Sequence, residues 1–286
     1  MNSNLIYGTA SLGIKNYGST WDESMSFRER VRLLYDVLEL GISRLDTSPR
    51  YGDAELVIGE LGLSKSNLLI DTKLDGIDIT QSANKIREQV LRTFDCSLER
   101  MKLRIINTLY LHQDGLEFVQ NEVLLATLLE LKKEGRIAAI GSSVYSHKEL
   151  YACDSTGVFD VIQIPYNALN QSFVKDEITT ELIARSILVQ GALLKNPSDN
   201  EFAAQKFREH FERFSSLCRK YQMDVVDLTK WLLNSQFKGP KIYSSLKVER
   251  VKSFLTPSEF VPSNSFLEEL GYLLDSGYTF TNPRNW

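Results

Sequence analysis

At 286 residues, with 43% hydrophobic and 24% charged content, the chain can bury a large core and is not disordered; its length suits one α/β barrel or two small domains. A net charge of -4 with no basic run argues against nucleic acid or an anionic membrane as main partner. No apolar run approaches the ~20 residues of a membrane span, and Met1-Asn2-Ser3-Asn4 lacks the basic region and apolar core of a signal peptide. Cys96, Cys153 and Cys218 are odd in number, widely spaced and without CxxC, which predicts reduced thiols in a cytoplasmic protein and neither a disulfide frame nor a zinc site.

The elements alternate along the chain. Leu5 to Thr9 predicts a short apolar strand with Gly8 near its end, and Tyr17 to Glu23 a polar loop. Phe27, Val31, Leu34 and Leu38 fall on one helical face, and Gly41 suits the left-handed end of that helix. Ile42 to Leu45 predicts a second strand; Pro49 and Gly52 then make a loop, so Asp46 and Tyr51 sit where the strand leaves a core. Ala54 to Leu61 predicts a short helix closed by Gly62, and Leu68 to Thr72 a third strand leading to Lys73. Ile86, Val90 and Phe94 mark a long helix, and Ile105 to Leu111 a fourth strand leading to His112.

Leu124, Leu128 and Leu131 make the next helical face, ended by Lys132-Lys133-Glu134-Gly135, with lysines in the last turn and glycine past it. Ile137 to Ile140 predicts a strand ending at Gly141-Ser142-Ser143, and Ser146 with Glu149 a capping box. Phe159 to Ile164 and Glu181 to Leu188 predict two more strands, with a run between Tyr166 and Leu182 short enough to imply a reduced sixth helix. Phe207, Phe211, Phe214, Cys218 and Tyr221 line one face of a long helix, as core rather than a cofactor box. Val225 to Leu233 predicts a helix begun by Asp224, Lys241 to Tyr243 a last strand and Val248 to Leu255 a last helix. The tail from Pro257 to Trp286 is mixed in pattern.

Eight strands, nearly all followed by a helix and joined without linkers, imply parallel neighbours with right-handed crossovers. The fold class expected is α/β, a single-domain (β/α)8 TIM barrel over 1–286, with 257–286 as a tail near the substrate site. A doubly wound sheet needs a glycine-rich phosphate loop after its first strand, and Gly8-Thr9-Ala10-Ser11-Leu12-Gly13 does not spell G-x-G-x-x-G.

In a barrel the C-terminal strand ends converge, which brings Asp46, Tyr51, Lys73 and His112 to one pocket. Taken singly, each of these side chains is an ordinary rim or surface group; three consecutive strand ends carrying them is a pattern. A phenol has a pKa of about 10, and a nearby ammonium favours its ionised form. A carboxylate beside the lysine holds it charged, and an imidazole can donate to a substrate carbonyl. Together they suit proton donation to a carbonyl oxygen while something else attacks the carbon. With no cysteine or G-x-S-x-G serine among them, hydrolysis is disfavoured, and one carboxylate with one His makes a poor metal site.

Leu45-Asp46-Thr47-Ser48-Pro49-Arg50-Tyr51-Gly52, the strand ending in Lys73, and Leu109-Tyr110-Leu111-His112 resemble the Asp-Tyr-Lys-His tetrad of the aldo-keto reductases. The resemblance runs from Gly8 to about Leu255. It implies a barrel that binds NADPH in extended form without a Rossmann motif, with NAD open as an alternative. Hydride would pass from nicotinamide to a small-molecule carbonyl, with Tyr51 as proton donor. Lys73 would tune Tyr51, Asp46 would hold Lys73, and His112 would orient the carbonyl.

The same resemblance carries over to cofactor positions. Gly8 and Thr9 match the first-strand contact, and Ser143 and Gln163 match residues that hold the carboxamide, although Val144 stands where many members have Asn. Arg185 falls where many have a Tyr stacked on the nicotinamide, and a guanidinium plane can also stack. Ser186, Leu188 and Gln190 would lie along the pyrophosphate. Ser245, Lys247 and Arg250 would grip the adenosine 2′-phosphate at a helix N-terminal turn. A basic residue often found where Ser244 stands is missing, which bears on the preference for NADP over NAD.

Ala184-Arg185-Ser186 with Val189-Gln190-Gly191, and Gly141-Ser142-Ser143-Val144-Tyr145-Ser146, are most similar to a bacterial subgroup associated with surface-polysaccharide and unusual-sugar synthesis. That resemblance implies a sugar or nucleotide-sugar carbonyl as substrate. Two other functions stay open: a cofactor-binding regulatory or interaction barrel with little turnover, and a sugar isomerase or epimerase. Trp21, Tyr17, Asp114 and Tyr145 either line the pocket or cover its mouth, while His147 and His210 are expected to be structural or solvated. The oligomeric state is open between monomer and homodimer.

Overall fold

Short apolar runs without helical spacing form the inner wall of the molecule, and the amphipathic segments between them form its outer layer. The computed structural model describes residues 4–15, 17, 25–62, 67–175, 177–199, 202–237 and 239–286. Apart from Tyr17, the loop expected over 17–23, with Trp21, lies outside the described residues. In chain order the elements run β1 (Leu5–Gly8), α1 (Ala10–Gly13), α2 (Phe27–Glu39), β2 (Arg44–Asp46), α3 (Ala54–Gly59), β3 (Leu69–Leu74) and α4 (Ala83–Met101). There follow β4 (Ile106–Leu111), α5 (Leu116–Val119), α6 (Glu122–Lys133), β5 (Ile137–Ser143), α7 (His147–Thr156), β6 (Val161–Pro165) and β7 (Glu181–Arg185). The chain closes with α8 (Arg208–Lys220), α9 (Val225–Trp231), β8 (Lys241–Tyr243), α10 (Val248–Leu255) and α11 (Asn264–Gly271).

The strands pair in sequence order, each parallel to the next, and β8 pairs with β1, so the sheet closes into the expected (β/α)8 barrel. Closure leaves no open edge. Ile6, Tyr110, Val161 and Ile183 pack together as a cluster separate from the main core. Gly141 is required there, because a Cβ at that position would collide with the Tyr110 ring. Near the starts of the strands Asp71, fully buried, takes Arg44 Nε at 2.8 Å and Asn107 Nδ2 at 2.7 Å. Burial still pushes the Asp71 carboxyl up from its ordinary value.

Helix signals in the sequence act as expected. Ser146 and Glu149 form a reciprocal capping box, as do Ser26 and Glu29, and the Asp224 side chain accepts from the amides of Val226 and Asp227. Gly41, at φ +87°, takes the left-handed conformation that ends α2. α8 buries Phe211, Phe214, Leu217 and Cys218, so its aromatic stripe is core.

Three departures matter for the site. β2 starts at Arg44 rather than Ile42 and includes Asp46. β7 stops at Arg185, because Ser186 turns the chain with φ +55° and 189–194 coil as 3-10 turns. After β6 the described residues form only a 3-10 turn, Ser172–Lys175, which is the reduced sixth helix. The tail, illegible as a pattern, is tied down at several points. Glu269 on α11 takes Lys220 at 2.7 Å and Tyr221 Oη at 2.6 Å. Farther on, Phe280 stacks on His210 at 4.4 Å and Trp286 Nε1 donates to the Phe280 carbonyl at 2.9 Å. Among the described residues no helix is long and apolar enough to cross a membrane, and the three cysteines are unpaired.

Candidate active site

A cavity of about 410 Å³ opens at the C-terminal ends of the strands. Asp46, Tyr51, Lys73 and His112 all line it, so the structure gathers the four residues that the sequence scatters over three strand ends. Lys73, on β3 and 2% exposed, donates to Asp46 Oδ1 at 2.6 Å and to the Thr47 carbonyl at 2.7 Å. The second oxygen of Asp46 accepts from Gln163 Nε2 at 2.7 Å. Lys73 Nζ also stands 4.9 Å from the centre of the Tyr51 ring, whose edge-to-face neighbour is His112 at 6.4 Å.

Tyr51 is placed by a backbone-to-backbone contact. Gly13, at the end of α1, lies against the Tyr51 carbonyl so closely that a Cβ there would collide with it, and Gly52, with φ +54°, meets Gly13 in turn. The loop cannot approach α1 in this way with larger residues.

The electrostatics revise two expectations. Lysine was expected to lower the Tyr51 pKa; instead burial, followed by the Asp46 carboxylate, pushes the phenol well above 10, outweighing the opposing effect of Arg185. Tyr51 therefore keeps its proton at neutral pH. The imidazole was expected to donate to a carbonyl. His112 Nδ1 lies 3.0 Å from Asp75 Oδ2, and an ionised carboxylate only accepts, so Nδ1 carries the proton. Burial lowers the His112 pKa despite Asp75, with Lys73 adding to the lowering. In the neutral ring Nε2 is thus an acceptor, and donation to a carbonyl requires an imidazolium that burial disfavours.

The cofactor positions divide in two. Gly8, Ser143, Gln163, Arg185, Ser186, Leu188, Gln190, Ser245, Lys247 and Arg250 all line the cavity. Thr9 does not: its hydroxyl is turned to the Asp46 carbonyl at 3.0 Å, where it ties β1 to β2. Gln163, wholly buried in the wall, also meets the Tyr110 hydroxyl, a contact that opposes the rise burial gives the Tyr110 pKa. At the other end Lys247 is the N-cap of α10 and gives it no side-chain cap, which leaves amide donors beside the cationic Lys247 and Arg250. Ser11 and Ser244 hydrogen-bond to each other across this region, joining the β1 and β8 loops.

Arg185 makes four hydrogen-bonding contacts with neighbours: Nε to Ser143 Oγ at 3.1 Å, Nη2 to the Val144 carbonyl at 2.8 Å, and Nη1 to Ser186 Oγ and Tyr278 Oη at 3.3 and 3.2 Å. Tyr17 and Tyr145 line the cavity; Asp114 stands outside the lining and pairs with Arg284, which lines it. His147 stacks on Phe173 at 4.4 Å, a packing role like that of His210. Sequence reasoning missed Asp75, Tyr278 and Arg284. Asp75 carried a signal, an acid two residues past Lys73 at a strand end. The two tail residues carried none, because their place depends on how 257–286 folds back.

Comparison with known proteins gives the family of the chain. The sequence profile described as the Aldo/keto reductase family matches residues 4–273. The chain is 26% identical to the aldo-keto reductase YhdN of Bacillus subtilis (strain 168), over 98% of this chain and 92% of that one. It is 22% identical to the NADH-specific methylglyoxal reductase of Escherichia coli (81% and 82% covered) and 23% identical to the D-arabinose 1-dehydrogenase of Saccharomyces cerevisiae (78% and 75%). An aldo-keto reductase from Bacillus halodurans, solved in holo form, shares the fold with a TM-score of 0.73 at 18% identity (96% and 93% covered). A mutant of Gox0644 solved in complex with NADPH superposes with a TM-score of 0.67 at 18% identity (99% and 94%). The chain belongs to the aldo/keto reductase family and is an oxidoreductase of that family.

Proposed function

We propose that this protein reduces an aldehyde or ketone to an alcohol with NADPH, Tyr51 supplying the proton. The observation that carries the reading is the buried Lys73, fixed between Asp46 and the Thr47 carbonyl beneath the face of a protonated Tyr51. When bound, the reduced nicotinamide supplies hydride to the carbonyl carbon. Tyr51 gives its proton to the carbonyl oxygen as that oxygen gains charge. The phenolate left behind is stabilised by Lys73, an electrostatic contribution made in a site largely screened from water. Asp46 keeps Lys73 in place, and Gln163 keeps Asp46 in place.

The residues present fit the cofactor. Ser143 and Gln163, which line the cavity together, suit a carboxamide. Ser245, Lys247 and Arg250 with the uncapped start of α10 suit a 2′-phosphate, which favours NADP over NAD. Gly8, Ser186, Leu188 and Gln190 would lie along the dinucleotide between these ends, while Thr9 supports the site from behind the wall. Ser143 and Val144 hold Arg185 as a flat guanidinium near the nicotinamide end.

For the substrate we extend the reading to a sugar-like hydroxycarbonyl. His112 Nε2, as an acceptor, suits a hydroxyl on the carbon beside the carbonyl. The name of the yeast relative, an arabinose dehydrogenase, supports the same class. A surface-polysaccharide or nucleotide-sugar role stays a narrower form of this proposal. We read the whole chain as one barrel domain with 257–286 as part of the substrate wall, in a reducing, cytoplasmic setting that suits its three unpaired cysteines.

The test is titration of the purified protein with NADPH, followed by quenching of Trp fluorescence, with NADH run alongside. Saturable NADPH binding that is weakened by Arg250→Met supports the reading. No binding of either nucleotide by the folded protein overturns it.

A further inference from the structure

Two backbone segments meet beside Tyr51 with no side chains between them. Gly13, at the end of α1, lies against the Tyr51 carbonyl, and Gly52 lies against the Gly13 carbonyl. Neither glycine can interlock with its neighbour, and each leaves its segment freer in the backbone. At the start of α1, Thr9 ties the chain to the Asp46 carbonyl through its amide, at 2.9 Å, and its hydroxyl. At the end of α1, beside Tyr51, a tie comes from the outer layer of helices.

Arg30 supplies it. The residue stands on α2, an element anchored by the buried Leu33, Leu34 and Val37, and its side chain is 16% exposed. Nη1 donates to the Leu12 carbonyl at 2.6 Å and also to Asp53 Oδ1, while Nη2 donates to Asp53 Oδ2 at 2.7 Å. One planar fork thus holds the residue before Gly13 and the residue after Gly52. Bidentate, charge-assisted pairing of this kind fixes direction as well as distance. Asp53 forgoes an ordinary role to make it. It is the N-cap of α3, where an Asp side chain usually accepts from the amides of its own helix, yet it makes no such bond. Its carboxylate is turned to Arg30 instead.

Arg30, Leu12 and Asp53 stand outside the cavity lining, whereas Ala10, Ser11, Ile14 and Tyr51 belong to it. The fork therefore acts on the cavity only through backbone. Building on the reductase reading, we propose that Arg30 and Asp53 are positioning residues for proton donation. Their ion pair, with the Leu12 carbonyl, sets the spacing between α1 and the turn at 51–53, and so sets where the Tyr51 phenol meets the substrate carbonyl. Loosening the fork lets the turn drift from α1 while the tetrad side chains all remain.

The test compares Arg30→Met and Asp53→Asn with the wild type in NADPH-dependent reduction of a panel of hydroxyaldehydes and keto-sugars, well below the melting temperature of each protein. The expected result is a fall in kcat of about tenfold for Arg30→Met, the cost of a displacement somewhat under 1 Å at a reacting group, with substrate KM and NADPH Kd unchanged. Asp53→Asn should lose less, and the double variant no more than Arg30→Met, because the two side chains act as one unit. In a Tyr51→Phe background Arg30→Met should cost nothing further, since the phenol it positions is gone. Asp53→Asn carries the same comparison should Arg30→Met fail to fold. Folded variants that melt earlier but keep the wild-type kcat overturn the proposal, as does an equal loss in the Tyr51→Phe background, and both leave the reductase reading intact. Absence of turnover on the whole panel by a wild type that binds NADPH counts against the reductase reading itself, and the proposal falls with it.

Discussion

Asp75 Oδ2 holds His112 by its Nδ1, at 3.0 Å, and the same oxygen takes Arg50 at 3.3 Å. The contact fixes which imidazole nitrogen carries the proton, and so decides what His112 offers the cavity. Asp75→Asn should release that constraint. The expected loss in kcat is about tenfold, as for outer partners that orient a functional histidine, with NADPH affinity unchanged. Because Asp75 raises the His112 pKa, its removal should also move the acid limb of the kcat profile to lower pH. A merely structural Asp75 would change stability without moving that limb.

Burial of a neutral imidazole makes stability depend on pH. The His112 pKa is lowered in the folded protein, so just below its ordinary value of about 6.5 the unfolded chain binds a proton that the folded one does not. Stability contributed by His112 is therefore full above about pH 6.5 and is lost as pH falls from there through the folded pKa. Melting temperatures at pH 7.5 and 5.5 check this. The wild type should lose more on acidification than His112→Gln, which has no such proton to take up.

Lys73 and Asp46 are both buried, and removing one strands the other. Lys73→Met should cost about 3–5 kcal/mol of stability, because among the described residues Asp46 is left with Gln163 alone as a side-chain partner. Turnover should fall with it, by about 10²-fold or more if Lys73 stabilises the phenolate. Denaturant melts and steady-state rates read the two losses separately.

Gly13 sets the position of Tyr51 without touching its phenol. Gly13→Ala places a Cβ against the Tyr51 carbonyl and must push the 48–53 loop outward. A displacement of about 1 Å at a reacting group costs about 10²-fold in rate. The prediction is a large fall in kcat from a protein that still folds and melts cooperatively.

Much of the barrel was legible because its signals are local. β4, β6 and β8 fall almost where their apolar runs stand, and the Ser146–Glu149 box and Gly41 end or begin helices as their chemistry dictates. The tetrad was legible for the same reason: in a parallel barrel, position at a strand end fixes position in space. What sequence spacing could not carry was orientation and long-range closure. The direction of the Tyr51 shift depends on burial, which follows from packing among several loops. Thr9 stands beside Gly8 in sequence yet turns its hydroxyl to Asp46. Tyr278 and Arg284 reach the cavity only because 257–286 folds back along α8 and over the strand ends, through contacts such as Phe280 on His210.

Tyr51→Phe removes one oxygen from the centre of the proposed chemistry and little else. NADPH-dependent reduction of a panel of hydroxyaldehydes and keto-sugars, compared between this variant and the wild type at saturating cofactor, reads its effect. A fall in kcat of about 10²–10⁴-fold, with the NADPH Kd unchanged, is the expected result. Equal rates in the two proteins would contradict Tyr51 as the proton donor, and with it the mechanism built on the tetrad.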